Sequence, residues 1–137
     1  MTFETHNQTA TINNLHICIL QPKINVKIIV AGGCKDWCEQ GVPMSSAEIY
    51  DLDSNTWKEA APMPVPLSSA SMDMFEGLPT TVGGVSMDEN GGFYGVSELY
   101  QYDITSNTWS PHPKTKMRAP RSSGAVFQVP RSHFRNC

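Results

Sequence analysis

An eight-residue phrase occurs twice in this chain of 137 residues. The first copy is Tyr50-Asp51-Leu52-Asp53-Ser54-Asn55-Thr56-Trp57, and the second is Tyr102-Asp103-Ile104-Thr105-Ser106-Asn107-Thr108-Trp109. Trp57 and Trp109 lie 52 residues apart, and the glycine pairs Gly32-Gly33 and Gly83-Gly84 lie 51 apart. Two unrelated marks share nearly one period. A period of about 50 residues implies stacked units, each burying its faces against its neighbours. No segment has a sustained helical period, so these units are built from strands.

The marks resemble those of the kelch repeat. In that family a strand ends in Gly-Gly, a variable loop follows, and a further strand carries a Tyr with a Trp about seven residues on. The resemblance covers roughly residues 15–130. It departs where an aromatic residue often stands three positions before the glycines: Ile29 and Thr80 occupy those sites. It implies an all-β fold, a partial kelch-type β-propeller of two four-stranded antiparallel blades plus one further strand. It also implies structural roles for Gly32, Gly33, Tyr50, Trp57, Gly83, Gly84, Tyr102 and Trp109.

Strand and turn signals place the elements. Residues 1–14 are polar and aperiodic, and are expected to be a disordered leader. The first blade, residues 15–60, has strand a at Leu15 to Leu20, b at Val26 to Ala31, c at Ala47 to Leu52, and d from Trp57. The second, residues 61–117, has a at Ser69 to Phe75, b at Pro79 to Val82, c at Val96 to Ile104, and d from Trp109. Residues 118–130 are expected to supply the first strand of an incomplete third blade (Ser123 to Val129), and 131–137 a tail. Pro62, Pro64 and Pro66 keep the linker between the blades extended. A propeller closes with roughly four to eight blades. The remaining blades are therefore expected from a longer chain or from self-association.

Hydrophobic residues make up 39% and charged residues 17% of the chain, which fits a globular β-rich protein. No apolar run approaches the ~18 residues of a membrane span, and no charged-then-apolar leader opens the chain. The expectation is a cytoplasmic protein without membrane contact. Charge is uneven: residues 1–103 hold all 13 acids, while 104–137 hold six bases and no acid. The bases are scattered among prolines without interleaved aromatics, so nucleic acid is not the expected partner.

No cofactor or metal is expected. Cys34 and Cys38 have a permitted zinc spacing, but Cys18 and Cys137 make no second pair. Unpaired thiols are the plain reading, since a Cys34–Cys38 disulfide needs an oxidising compartment. Nucleophile-elbow, Walker and His-Glu-x-x-His motifs are absent, and no catalytic residues are assigned. Trp57, Trp109, Tyr50 and Tyr102 are read as core residues packing between blades. Asp51 and Asp103 are read as turn residues.

The strand order puts the b–c loops (Cys34 to Ser46, Val85 to Gly95) and the d–a linkers on one rim. Long loops on a rigid scaffold tend to carry function. That rim holds Asp36, Trp37 and Glu39, then Phe93 and Tyr94, then Arg118 and Arg121. Aromatic residues and arginine are the types enriched at binding hot spots, and a protein partner is expected there. The resemblance suggests a binding module, such as the substrate-recognition part of a cullin-type ubiquitin ligase adaptor or an actin-binding protein. The alternative is a propeller enzyme of the galactose-oxidase-like or sugar-epimerase type.

Overall fold

The structure is a computed structural model; it describes residues 2–5, 8–11, 27–35, 41–126 and 129. In chain order the strands are β1 (Thr2–Thr5), β2 (Gln8–Thr11), β3 (Lys27–Ala31), β4 (Cys34–Lys35), β5 (Val42–Pro43), β6 (Ala47–Asp51) and β7 (Thr56–Ala60). They continue as β8 (Ser71–Phe75), β9 (Leu78–Val82), β10 (Val85–Met87), β11 (Phe93–Gly95), β12 (Glu98–Asp103) and β13 (Thr108–Lys116). Among the described residues no helix is long and apolar enough to cross a membrane.

Two antiparallel sheets carry the fold. One has the order β13-β12-β9-β8, four strands laid side by side in sequence order, d to a. The other has the order β3-β6-β7, which are strands b, c and d of the preceding unit. Its expected strand a, Leu15 to Leu20, lies outside the described residues. Pro111 and Pro113 fall within β13, at the edge of its sheet, where a residue without an N–H removes no inner ladder bond. The β12–β13 register shifts between Glu98, opposite Lys116, and Tyr100, opposite Pro111, so β13 carries extra residues there.

Within residues 1–14, expected as a disordered leader, β1 and β2 pair antiparallel, Thr2 opposite Thr11 and Thr5 opposite Gln8. The stretch is polar, but it is rich in threonine, whose β-branch suits an extended pleat. The b–c segments are ribbons rather than plain loops. β4 pairs with β5 and β10 with β11, because the chain doubles back and pairs with itself. The described part of the third unit's segment, residues 123–126 and 129, lies in no strand. Ser123 sits at φ 56°, as Ser69 does at φ 53° ahead of β8. Among the described residues nothing pairs with the chain beyond Ser123 as β9 pairs with β8.

The core lies between the two sheets. Ile29, Met72 and Tyr102 are buried together, with Ile49, Ala60, Ile104 and Trp109 packed around them. Side chains alternate along a strand. Ile29 pairs with Ile49, and Ile28 with Tyr50. The Ile29–Ile49 face of the first sheet therefore meets the Tyr102–Trp109 face of the second, and Tyr50 and Trp57 point away from that junction. A second cluster of Met63, Leu67, Val96 and Tyr100 closes the edge near the linkers, again against Trp109.

Candidate protein-interaction rim

The repeated phrase is a hydrogen-bonded β-turn. The Asp51 carboxylate accepts the Asp53 and Ser54 N–H groups at 3.0 and 3.2 Å. Asp103 accepts those of Thr105 and Ser106 at 2.8 and 3.5 Å. Asn55 and Asn107 both take φ 53°, a conformation Asn tolerates. The Tyr102 hydroxyl donates to Asn107 Oδ1 at 2.7 Å, and Tyr50 makes the same bond to Asn55. These N–H donors hold both carboxyls below the usual carboxylate range. For Asp51 the Ser54 N–H leads, followed by Lys27, whose Nζ is 3.1 Å away. For Asp103 the Thr105 N–H leads, followed by the Ser106 hydroxyl. Burial pushes the Tyr102 phenol up, and the Asp103 charge adds to this.

The turn also ties one unit to the next. The Trp109 indole Nε1 donates to the Ala61 carbonyl at 2.8 Å, and the Ala61 N–H donates to Asn107 Oδ1 at 2.8 Å. One linker residue is thus held at both its polar groups. Trp57, the other copy, packs on Tyr50 with ring centroids 5.0 Å apart. Its buried Nε1 has no hydrogen-bond partner among the described residues.

The glycine pairs sit where linkers cross. Gly33 N–H donates to the Leu67 carbonyl and Gly84 N–H to the Arg121 carbonyl, each at 2.8 Å. Gly32 has φ +73°, and a Cβ there would lie 2.5 Å from the Leu67 oxygen; at Gly83 it would strike the Arg121 oxygen. Linker and b–c segment are stitched further by Met63 N–H to the Ser45 carbonyl at 2.7 Å and Met117 N–H to the Ser97 carbonyl at 2.8 Å. The d–a linkers and the b–c ribbons thus share one edge, with β10 lying against β5.

On that edge Phe93 is 54% and Tyr94 47% exposed. They stand on a stiff ribbon: Asp88 Oδ1 accepts the Asn90 and Gly92 N–H groups at 2.9 and 2.8 Å. Arg118 and Arg121 are exposed on the linker alongside. The linker comes close at Pro120, which a Cβ on Gly95 would meet at 2.6 Å. Burial raises the Tyr100 phenol, with Glu98 and then Tyr94 adding to this. Asp36, Trp37 and Glu39 lie outside the described residues. The sequence reading missed Val42, 52% exposed on β5; a lone valine beside Pro43 carried no signal. Cys34 is buried and disulfide-bonded rather than a free thiol. Cys18, Cys38 and Cys137 lie outside the described residues. Among the described residues no three or more His, Cys, Asp or Glu side chains gather to hold a metal ion.

Residues 24–64 match the family model described as the Kelch motif. Kelch-like protein 41b of Danio rerio is 33% identical over 88 residues, which is 61% of this chain and 14% of that protein. Beta-scruin of Limulus polyphemus is 31% identical over 98 residues, which is 70% of this chain and 10% of that protein. The solved structure of YjhT superposes on 84% of this chain with a TM-score of 0.66 and 13% identity. At that identity the likeness is one of fold. The chain spans 32% of YjhT, and smaller shares of the two relatives.

Proposed function

The chain is a kelch-repeat protein folded as part of an all-β propeller, and on that premise we propose that it is a protein-interaction module binding its partner at the b–c and d–a rim. The observation that carries this reading is the exposure of Phe93 and Tyr94 on a turn-locked ribbon beside Arg118 and Arg121. Rigid aromatic area loses little side-chain entropy on binding, and arginine adds directional donors. Val42 on the neighbouring ribbon extends the apolar part. Asp36 and Trp37 belong to the same b–c segment by sequence and are included in the proposed surface.

A partner captured from extract by the full chain, then purified, gives the test. Tyr94→Ala and Arg121→Ala should each weaken its binding by more than ~1 kcal/mol, the threshold of a contributing hot-spot residue. The melting temperature should stay unchanged. Loss of binding only on changes at Asp53 or Thr105, in the c–d turns, would put the partner at the other end of the blades. The finer roles, ubiquitin-ligase adaptor or actin binder, separate by whether the captured partner is a ligase substrate or filamentous actin. Turnover of a sugar or an alcohol by the purified chain would favour the enzyme reading instead. The proposed compartment is the cytoplasm. Disulfides persist mainly in oxidising compartments, so the redox state of Cys34 in protein taken from cells bears directly on that assignment.

A further inference from the structure

The backbone of β11 has an unused side. Val85 N–H donates to the Ser68 carbonyl at 2.8 Å, and Ser68 N–H donates to the Val85 carbonyl at 2.9 Å. Both polar groups of Val85 therefore point away from β11. Opposed residues in an antiparallel ladder alternate between bonded and non-bonded pairs. Val85 with Gly95 and Met87 with Phe93 are thus non-bonded pairs, and Ser86 with Tyr94 is the bonded one. The bonds one position beyond each end agree: Asp88 N–H to the Gly92 carbonyl at 2.8 Å, and Val96 N–H to the Gly84 carbonyl at 3.0 Å. The N–H and C=O groups of Phe93 and Gly95 face outwards, and among the described residues they have no hydrogen-bond partner. All three residues of β11 are exposed.

Two other edges are blunted. Met44 N–H donates to the Gly33 carbonyl as Val96 does to Gly84. Pro43 of β5 therefore stands where Gly95 stands in β11, and a proline has no N–H to offer. The β13 edge carries Pro111 and Pro113, with His112 buried between them, then Lys114 and Lys116. Proline and lysine are the residues that keep an edge from pairing. β11 reads Phe93-Tyr94-Gly95, without proline or charge, and its aromatic residues suit a pleated strand. The linker beside it, which approaches Gly95 at Pro120, carries Arg118 and Arg121. Both are exposed, and neither has an ion-pair partner among the described residues.

We propose that the partner of the rim adds an extended acidic segment to the β11 edge, its backbone bonded to Phe93 and Gly95 and its carboxylates set against Arg118 and Arg121. The inference rests on the rim reading and specifies how that rim is used. Main-chain bonds to an open edge supply affinity, and the guanidinium groups select segments that carry carboxylates.

The probe is a synthetic dodecapeptide, chosen as the tightest binder from a random phage-displayed library selected on the full chain. It should contain Asp or Glu, and R118A/R121A should weaken it about tenfold or more, as loss of charge-assisted bonds does. Amide exchange followed by NMR should be slow at Tyr94 and fast at Phe93 and Gly95 in the free chain. The peptide should slow the latter two about tenfold or more, as closure of an open site does. N-methylation of the peptide, one residue at a time, should cost about tenfold at every second residue, because alternate residues of an added strand bond the edge. Phe93→Pro removes an outward N–H and no ladder bond, so it should weaken binding about tenfold more than Phe93→Ala, since one charge-free main-chain bond and the strand register are lost together. Binding that needs Tyr94 and the two arginines, yet shows no two-residue period and leaves both amides exchanging fast, would overturn strand addition and leave the rim reading standing. Binding indifferent to Tyr94→Ala and to R118A/R121A would overturn both. Failure of the library to yield any binder would overturn strand addition as well.

Discussion

The same tryptophan has two environments in this chain. Trp109 Nε1 reaches the Ala61 carbonyl, whereas Trp57 Nε1 is buried without an acceptor among the described residues. Removing both partners' polarity is nearly free, while an unmet buried donor costs its desolvation. Replacing each indole by phenylalanine should therefore separate them. Trp109→Phe should lose about 1 kcal/mol more than Trp57→Phe, roughly one hydrogen bond. Denaturant titration of the two variants measures this, and equal losses would mean that the Ala61 bond adds nothing.

At the scale of the element, the c–d turn is the most completely determined piece. The polar letters shared by both copies are bonded: Asp to the turn N–H groups, Asn to the Tyr hydroxyl, Ser to Thr at 2.7 Å in both copies. Its dependence on pH follows from sign. Asp51 and Asp103 are lowered from the ordinary 3.8 by the N–H donors facing them. A carboxyl lowered in the folded state contributes fully above its unfolded pKa and loses that contribution as pH falls through the folded one. Melts from about pH 5 to about pH 2 should show stability falling below the ordinary Asp range near 3.8. The fall should be shallower in Asp51→Asn and Asp103→Asn, and an identical acid limb in both variants would contradict this account.

At the scale of the molecule, the two sheets share one core through Trp109, which packs against both buried clusters. In repeat proteins stability is a sum of unit and interface contributions, and here Ile29 of the first sheet is buried with Met72 and Tyr102 of the second. Thermal unfolding should therefore be a single transition, coincident by circular dichroism and by tryptophan fluorescence. Two resolved steps would show that the blades stand alone.

Repetition made the fold readable from the residues: Gly-Gly, Tyr and Trp in register define strand, turn and strand without any partner being known. The strands b, c and d of both units appear where those marks put them, because local turn chemistry sets hairpin register. What lay beyond the residues were features that depend on distant chain. Nothing in the stretch from Val85 to Gly95 announced a ribbon until the two arms met. Nothing distinguished Trp57 from Trp109 until Ala61 was placed beside only one of them. Exposure of Val42 and burial of His112 are likewise outcomes of packing between segments tens of residues apart. A local pattern states which conformation a segment prefers, and only the assembled neighbours state which of its groups still face water.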